Sequence, residues 1–340
     1  MSLADLSAQI RSFFKWFLIT VVVILVLWIV WVVAREISGV IFKPTGEEIA
    51  FGKLEPPFFV KTFSPLTVDK ISSATPSAKT AAKVPVYSFA TVKKFSQQQT
   101  DRLVDTFNLS KNSKKESGNN VTWEDSQGLK SLKLDLNRNH FIYRYHFEKN
   151  LSILSGRLYL KEDQSFEKAK EALLSMGLFP ADIDKGSSIV RFLKISASGR
   201  EEASFTLANS YEVSLFLKIN SIPTNGTPTV RVLLSPSNTL LELDYNYSAL
   251  NPAPSPYPVI SNQEAWQTFQ DNKAYVSTAK KFSSVTVDKI YLSYWESDLP
   301  QVYLQPIWVF VGSGKINDKA EKFTAFLPAV SPSYLISDSE

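Results

Sequence analysis

The stretch 16–34, WFLITVVVILVLWIVWVVA, constrains this chain more than any other. It is uncharged throughout, bounded by Lys15 and Arg35, and Thr20 is its only hydroxyl-bearing residue. As a helix, roughly 19 residues at about 1.5 Å each span about 28 Å, close to the hydrocarbon thickness of a bilayer. No other stretch approaches this length without a charge. The expectation is a short leader, 1–15, and a transmembrane helix, 16–34, that fixes the protein to the lipid bilayer. Trp16 stands near one membrane face, and Trp28 and Trp31 near the other, as interfacial anchors. The Lys/Arg counts of the two flanks tie. The short leader places the N-terminus in the cytoplasm and the C-terminal domain outside, a single-pass cell-membrane location. Val32-Val33-Ala34 resembles a signal-peptide cleavage site, but the apolar core exceeds the usual span of about 7–15 residues. Two tryptophans near the site also favour an uncleaved anchor.

Beyond residue 34 the chain reads as folded and water-soluble. The composition is 44% apolar and 21% charged, within the range of globular domains. Net charge is +4 with the basic residues scattered, so no Lys/Arg stripe tracks a phosphate backbone and nucleic acid is not an expected partner. The absence of cysteine removes disulfides, thiolate nucleophiles and zinc–thiolate sites together.

Residues 35–85 read as a juxtamembrane strap and linker, interrupted by Pro56-Pro57 and rich in Ser, Thr, Ala, Pro and Lys from Lys61 onward. A first unit, 86–160, has a strand from Val86 and a helix opened by Ser96-Gln-Gln-Gln99, a capping-box spacing. Leu132, Leu134 and Leu136 then alternate with polar residues at strand period. A second unit, 161–250, begins with a helix near Ser165, where Phe166, Ala169, Leu173 and Met176 share a face and Gly177 stands at the stop. Strands follow at Ile189–Ile195, Tyr211–Ile219, Val230–Leu234 and Leu240–Tyr247, with Asn225-Gly226 as a turn. A third unit, 251–340, opens on the capping box Ser261-Asn-Gln-Glu264 and continues in strands at Val285–Trp295, Val302–Val311 and Lys322–Ala329. Pro306 argues for an edge or bulge, and Gly312-Ser-Gly314 for a hairpin turn. The predicted fold class is α+β: an N-terminal transmembrane helix, then tandem units of one helix packed on an antiparallel sheet.

Several segments of the C-terminal half carry a resemblance. They are Leu240-Leu-Glu-Leu-Asp-Tyr-Asn-Tyr247, Tyr257-Pro-Val-Ile-Ser-Asn-Gln-Glu-Ala-Trp266, Ile290-Tyr-Leu-Ser-Tyr-Trp-Glu296, Tyr303-Leu-Gln-Pro-Ile-Trp-Val-Phe310 and Phe323-Thr-Ala-Phe-Leu-Pro-Ala-Val330. Over roughly 160–330, together with the anchor, this order resembles the membrane-anchored YycH/YycI-type regulatory proteins of bacterial two-component systems, and PepSY-like envelope modules more broadly. The resemblance implies a non-enzymatic regulator or binding module and brings no catalytic or ligand residue with it.

Few residues offer chemistry. His140 and His146 are the only histidines. Six residues of strand separate them by about 20 Å, too far to share a metal ion. They and Arg144 read as the solvent side of a strand whose other face is Phe141, Tyr143, Tyr145 and Phe147. A serine triad lacks its base and its G-x-S-x-G turn. Carboxylate pairs exist at Glu296/Asp298 and Glu201/Glu202, each in a predicted turn where solvated charge is the ordinary account. Gly312-Ser-Gly-Lys315 lacks P-loop spacing and opens no helix. No catalytic, cofactor-binding or metal-ligating residue is expected, and no cofactor. The best binding feature is aromatic: Tyr291, Trp295, Tyr303 and Trp308 fall in adjacent strands and are candidates for a partner-binding ridge. Rings packed under the helix carrying Trp266 are the alternative and the favoured reading.

The expected function is a non-catalytic, membrane-anchored, extracytoplasmic binding or regulatory protein of the bacterial cell envelope, with a protein or envelope component as partner. The other readings are a structural subunit of a secretion or surface assembly, and an envelope enzyme acting on glycans through a carboxylate pair.

Overall fold

The computed structural model describes residues 28, 49–59, 64–65, 68, 71–73, 81–90, 95–138, 140–183, 185–196, 199–276, 282–316 and 319–336. The anchor expected over 16–34 lies outside them apart from Trp28, which is helical and exposed. The expected membrane span and the single-pass location built on it are corrected: among the described residues, no helix is long and apolar enough to cross a membrane. The three described α-helices have 10, 14 and 9 residues and each buries one face, whereas a bilayer requires about 20 apolar residues.

Residues 50–340 form one compact unit. In chain order its elements are β1 (Ser64–Pro65), β2 (Ile71–Ser73), β3 (Lys83–Ser88), α1 (Gln97–Thr106), β4 (Lys115–Ser117), β5 (Asn120–Glu124), β6 (Lys130–Asp135) and β7 (His140–Tyr145). Then come α2 (Glu162–Ser175), β8 (Ile189–Ser196), β9 (Gly199–Glu202), β10 (Ser210–Leu215), β11 (Lys218–Ile219), β12 (Ile222–Gly226), β13 (Val230–Leu234) and β14 (Leu240–Tyr245). The last are β15 (Ser255–Pro258), α3 (Asn262–Gln270), β16 (Tyr275–Val276), β17 (Ser284–Glu296), β18 (Tyr303–Ile316) and β19 (Lys319–Pro328).

The strands assemble into two sheets. A nine-stranded sheet runs β4-β5-β6-β7-β14-β13-β10-β8-β9, antiparallel throughout. A ten-stranded sheet runs β1-β16-β19-β18-β17-β12-β11, with β2 added in parallel to β17 and β3 joining β15 to β18.

Alternation explains the first sheet. Val121, Trp123, Leu132, Leu134, Phe141 and Tyr143 are buried while their strand neighbours are half-buried or exposed. Two helices cover that face: Leu103, Val104 and Phe107 from α1 and its cap, and Phe166, Ala169 and Leu173 from α2. Both α1 and α3 begin as the spacing predicts. The Ser96 hydroxyl accepts from Gln99 N while Ser96 N donates to the Gln99 amide oxygen, and Ser261 with Glu264 does the same. The helix α2 starts at Glu162, before the expected Ser165, with Glu162 and Asp163 in its positive first turn. Gly177 ends it at φ 69°, the left-handed cap expected there.

The tandem α+β arrangement is corrected. Strands from residues assigned to the first and second units, β7 and β14, pair within one sheet, and α1 and α2 share one face of it. Strand β12, from the second unit, pairs in parallel with β17, from the third. A helix followed by alternating strands fixes which faces are apolar, but each unit left alone exposes an unpaired strand edge. Joining the edges across the presumed boundaries satisfies those backbone groups and gives a mostly β fold.

The strap and linker are tied into the ten-stranded sheet at each described piece. Leu54 is fully buried and bridges Leu335, β1 pairs with β16, and β3 buries Val84 and Val86. Gly312-Ser-Gly314 is interior to β18, not a turn: a Cβ at Gly314 would meet the Phe282 ring at 2.3 Å, so this glycine lets that ring lie on the strand. Asn225-Gly226 closes β12 instead of making a hairpin. The tight turn falls at Asn220-Ser221, both at positive φ, between β11 and β12. Pro306 sits within β18 where its neighbour changes from β3 to β19.

Candidate functional site

The four aromatics offered by the sequence as a partner-binding ridge do not share one face, and Trp308 packs under the helix that carries Trp266, the reading the sequence favoured over the ridge. Register pairs Tyr291 with Val309 and Trp295 with Gln305, but Trp308 with Leu292, so strand alternation sends Trp308 to the opposite face from the other three. Trp308 is 1% exposed, packed with Ala265 and Phe269 of α3, and its indole N–H donates to Ile260 O at 3.2 Å. Trp295 is 2% exposed against Phe59 and Phe326, donating to Phe58 O at 2.9 Å. Tyr303 stacks on Phe51 with centroids 5.0 Å apart, and Tyr291 is half-buried under the Lys289 ammonium. These rings are core and cover. Trp16 and Trp31 lie outside the described residues.

The histidines are half-buried on the strand face opposite Phe141, Tyr143 and Tyr145, which are buried as the alternation predicts. His140 Nε2 lies 2.9 Å from Asp244, while His146 lies 3.0 Å from both Glu148 and Ser131. Among the described residues no group of three His, Asp or Glu side chains could hold a metal ion. Glu201 and Glu202 lie on the exposed edge strand β9.

The distinctive arrangement is where the chain crosses between sheets. Strands β12 and β17 run in parallel and end together at Gly226 and Glu296. From there the chain passes through Thr227–Thr229 into β13 of the other sheet. Thr227 N donates to Glu296 O at 2.8 Å, and the Thr229 hydroxyl donates to Glu296 Oε2 at 2.9 Å. Gly226 permits this approach: its φ is 105°, and a Cβ would lie 2.1 Å from Glu296 O. Beyond Glu296 the loop closes on itself, with Gln301 accepting from Ser297 N and donating to Trp295 O. Across from it, Arg138 donates to Asp135 at 3.0 Å and to Asp298 O at 3.0 Å, joining the β6–β7 turn to that loop.

These elements enclose a cleft of about 520 Å³. One wall is turns of the nine-stranded sheet, carrying Asn119, Asn120, Arg138, Asn246 and Ser248. The other is Phe89 beyond β3 together with residues 296, 297 and 299–301.

Its electrostatics are unusual. Glu296 is 4% exposed, and burial pushes its carboxyl up to about 8; the Thr229 hydroxyl opposes the shift and the nearby Asp182 charge adds to it. It is therefore a neutral acid at pH 7. Burial acts to raise Asp135 as well, but the Asn137 N–H and the Arg138 guanidinium outweigh it and hold this carboxyl below its ordinary value. Of the carboxylate pair that the sequence offers, Glu296 is buried and Asp298 exposed. Glu296 therefore does not occupy the solvated turn expected from the sequence, and the amides around it were not anticipated. The sequence carried no burial signal for Glu296: Ser293, Tyr294, Trp295 and Glu296 are all buried, so the end of β17 has no alternation to read. Asn120 opens β5 and Asn246 follows the end of β14, both of ordinary type, and only the pairing of distant strands brings them together.

No family model matches the chain, and no curated protein matches it. The crystal structure of an uncharacterized protein from Eubacterium rectale ATCC 33656 is similar, with a TM-score of 0.45 and 12% identity over 77% of this chain and 87% of that one.

Proposed function

We propose that this chain is a non-catalytic binding protein and that the cleft beside Glu296 is where it binds. One observation carries the reading: among the described residues, every ionisable side chain on the cleft is already engaged within the protein. The buried Glu296 carboxyl is held by the Thr229 hydroxyl, and Arg138 is paired with Asp135. Acid–base or nucleophilic catalysis needs a second, available group within hydrogen-bond reach of the reacting atoms. Asp135 is committed to Arg138 and to Asn137 N, and Asp298 is not among the residues that line the cleft, so no free carboxylate stands beside Glu296 there among the described residues. The YycH/YycI-type resemblance accords with this at the level of class, binding without catalysis, and a regulatory effect would follow from such a binding step.

The test is binding against turnover. The protein is incubated with a panel of neutral oligosaccharides, blocked peptides and phosphorylated metabolites; binding is read by ligand-observed NMR and integrity of each compound by mass spectrometry. Binding that leaves the compound intact and is abolished by Ser248→Trp, which fills the cleft, is the expected outcome. Conversion of any bound compound overturns the reading.

A further inference from the structure

We propose that the cleft takes a neutral saccharide, with the Asn119, Asn120 and Asn246 amides on its hydroxyls, Phe89 against a sugar face, and the Glu296 carboxyl hydrogen-bonded to one of its oxygens. This names the ligand class for the binding reading above and rests on it.

Charge supplies the first argument. Among the described residues on the cleft the one cation is Arg138, which is neutralised by Asp135 at 3.0 Å and spends a further donor on Asp298 O. Among the described residues no uncompensated cation lines the cleft to receive a phosphate or carboxylate, which proteins hold with free Arg or Lys or with open backbone N–H groups.

The second argument is which polar groups are free. The backbone N–H groups at this junction are taken: Thr227 N by Glu296 O, Asn246 N by Thr229 O, Ser297 N by Gln301 and Leu299 N by the Ser297 hydroxyl. An extended peptide is captured largely through main-chain bonds to an open edge, and no such edge lines this cleft among the described residues. By contrast the side-chain amides of Asn119, Asn120 and Asn246 and the Ser248 hydroxyl have no partner among the described residues. Each amide carries both a donor and an acceptor, the complement of a hydroxyl that does the same. The Glu296 side chain is more than nine-tenths buried, and Oε1 has no partner among the described residues while Oε2 accepts from Thr229.

The third argument is shape. The half-buried Phe89, with Leu299 and Pro300, gives the cleft apolar surface beside the amides. A sugar ring presents an apolar C–H face and a polar rim, and this combination of walls matches both.

The experiment titrates the full chain by calorimetry with four probes: cellotetraose, chitotetraose, end-blocked tetra-alanine and inorganic phosphate. Binding of one or both sugars is expected, without binding of phosphate. Asn246→Ala and Phe89→Ala should each weaken sugar binding by about tenfold, the loss of one hydrogen bond or one ring contact. Asn120→Ala, at the first residue of β5, should weaken binding similarly, and its urea denaturation midpoint, unchanged from the wild type, separates a lost contact from a folding defect. Absence of sugar binding, or binding indifferent to both Asn120→Ala and Asn246→Ala, overturns the proposal. Tetra-alanine binding without sugar binding overturns it while leaving the binding reading intact; conversion of a sugar overturns the binding reading instead.

Discussion

The two sheets of this molecule are built on different principles. The nine-stranded sheet is antiparallel throughout, and most neighbours in it are joined by short turns. Two helices cover its inner face, and its outer face carries charge pairs such as Arg200–Glu242 at 2.7 Å and Arg191–Glu212 at 3.6 Å. The ten-stranded sheet is centred on two long strands, β17 and β18, and collects its other members from distant parts of the chain. Leu54 bridges Leu335, β2 and β12 add in parallel to β17, and a single helix, α3, covers one face. Local pairing makes the first sheet readable; non-local pairing makes the second one fit around close contacts that individual residues must permit.

The sharpest break in this comparison is the core under α3. Phe269 is fully buried, stacked on Phe310 with centroids 4.5 Å apart, and it is the ring through which the lone helix grips its sheet. Phe269→Ala should lower unfolding stability by about 3–5 kcal/mol in urea titration. Leu103→Ala in α1 should cost less, about 2–3 kcal/mol, because α2 packs on the same cluster and remains to cover the face. Equal losses would mean that the two sheets are not supported differently.

Glycines sharpen it next. Gly226→Ala drives a methyl into Glu296 O, at 2.1 Å, from a φ of 105°, and should cost about 3 kcal/mol. Gly118→Ala, in the β4–β5 turn with φ 58° and open space around it, should cost only about 1 kcal/mol. Denaturation midpoints compare the pair directly; a Gly226 variant as mild as the Gly118 one would remove the close approach on which the crossover depends.

The faces of the strands were legible in the sequence, and their neighbours were not. Leu132, Leu134, Phe141 and Tyr143 alternate inward because a half-buried strand has period two, and Ser96 and Ser261 marked their helix starts by chemistry confined to four residues. Which strand lies beside β7 is decided a hundred residues away, by β14, and nothing local encodes it. The same limit hid the cleft: Asn120, Asn246, Phe89 and Glu296 carry no shared motif and meet only because the strands preceding them are paired. The aromatic ridge failed for a related reason. Tyr291, Trp295 and Trp308 do stand on adjacent strands, but the register between those strands sends Trp308 to the other side.

Glu296 gives a pH handle on the junction. An exposed glutamate titrates near 4.5, and this one holds its proton to about 8. The folded state therefore binds an extra proton between those values. Stability is full below about pH 4.5, declines as the pH rises, and the contribution is gone once the pH passes 8. With relaxation and water entry the loss across this range should be about 2–3 kcal/mol. Chemical denaturation from pH 5 to pH 9 should show this decline in the wild type, and Glu296→Gln should lack it. A variant that declines in parallel with the wild type would show that Glu296 is ionised in the folded state.

The nine-stranded sheet supplies the contrasting acid. Glu242 is 13% exposed in its side chain, yet its partners are cations: Arg200 at 2.7 Å and Arg144 at 3.3 Å. Where Glu296 escapes the penalty of a buried charge by keeping its proton, Glu242 meets it by pairing with two guanidiniums at the sheet surface. The expected effect is the smallest of the set. Glu242→Gln should cost about 1 kcal/mol or less, because Arg144 is half exposed and water screens the attraction. Its dependence on conditions should be the reverse of that at Glu296. Raising salt from low to molar concentration should shrink the Glu242→Gln difference, since screening lengths fall to about 3 Å at 1 M, while leaving the Glu296→Gln difference at pH 9 nearly unchanged. A Glu242 effect that survives molar salt, or a Glu296 effect that salt removes, would show that the two acids are held by the same kind of interaction, and the distinction between paired surface charge and neutral buried acid would fail.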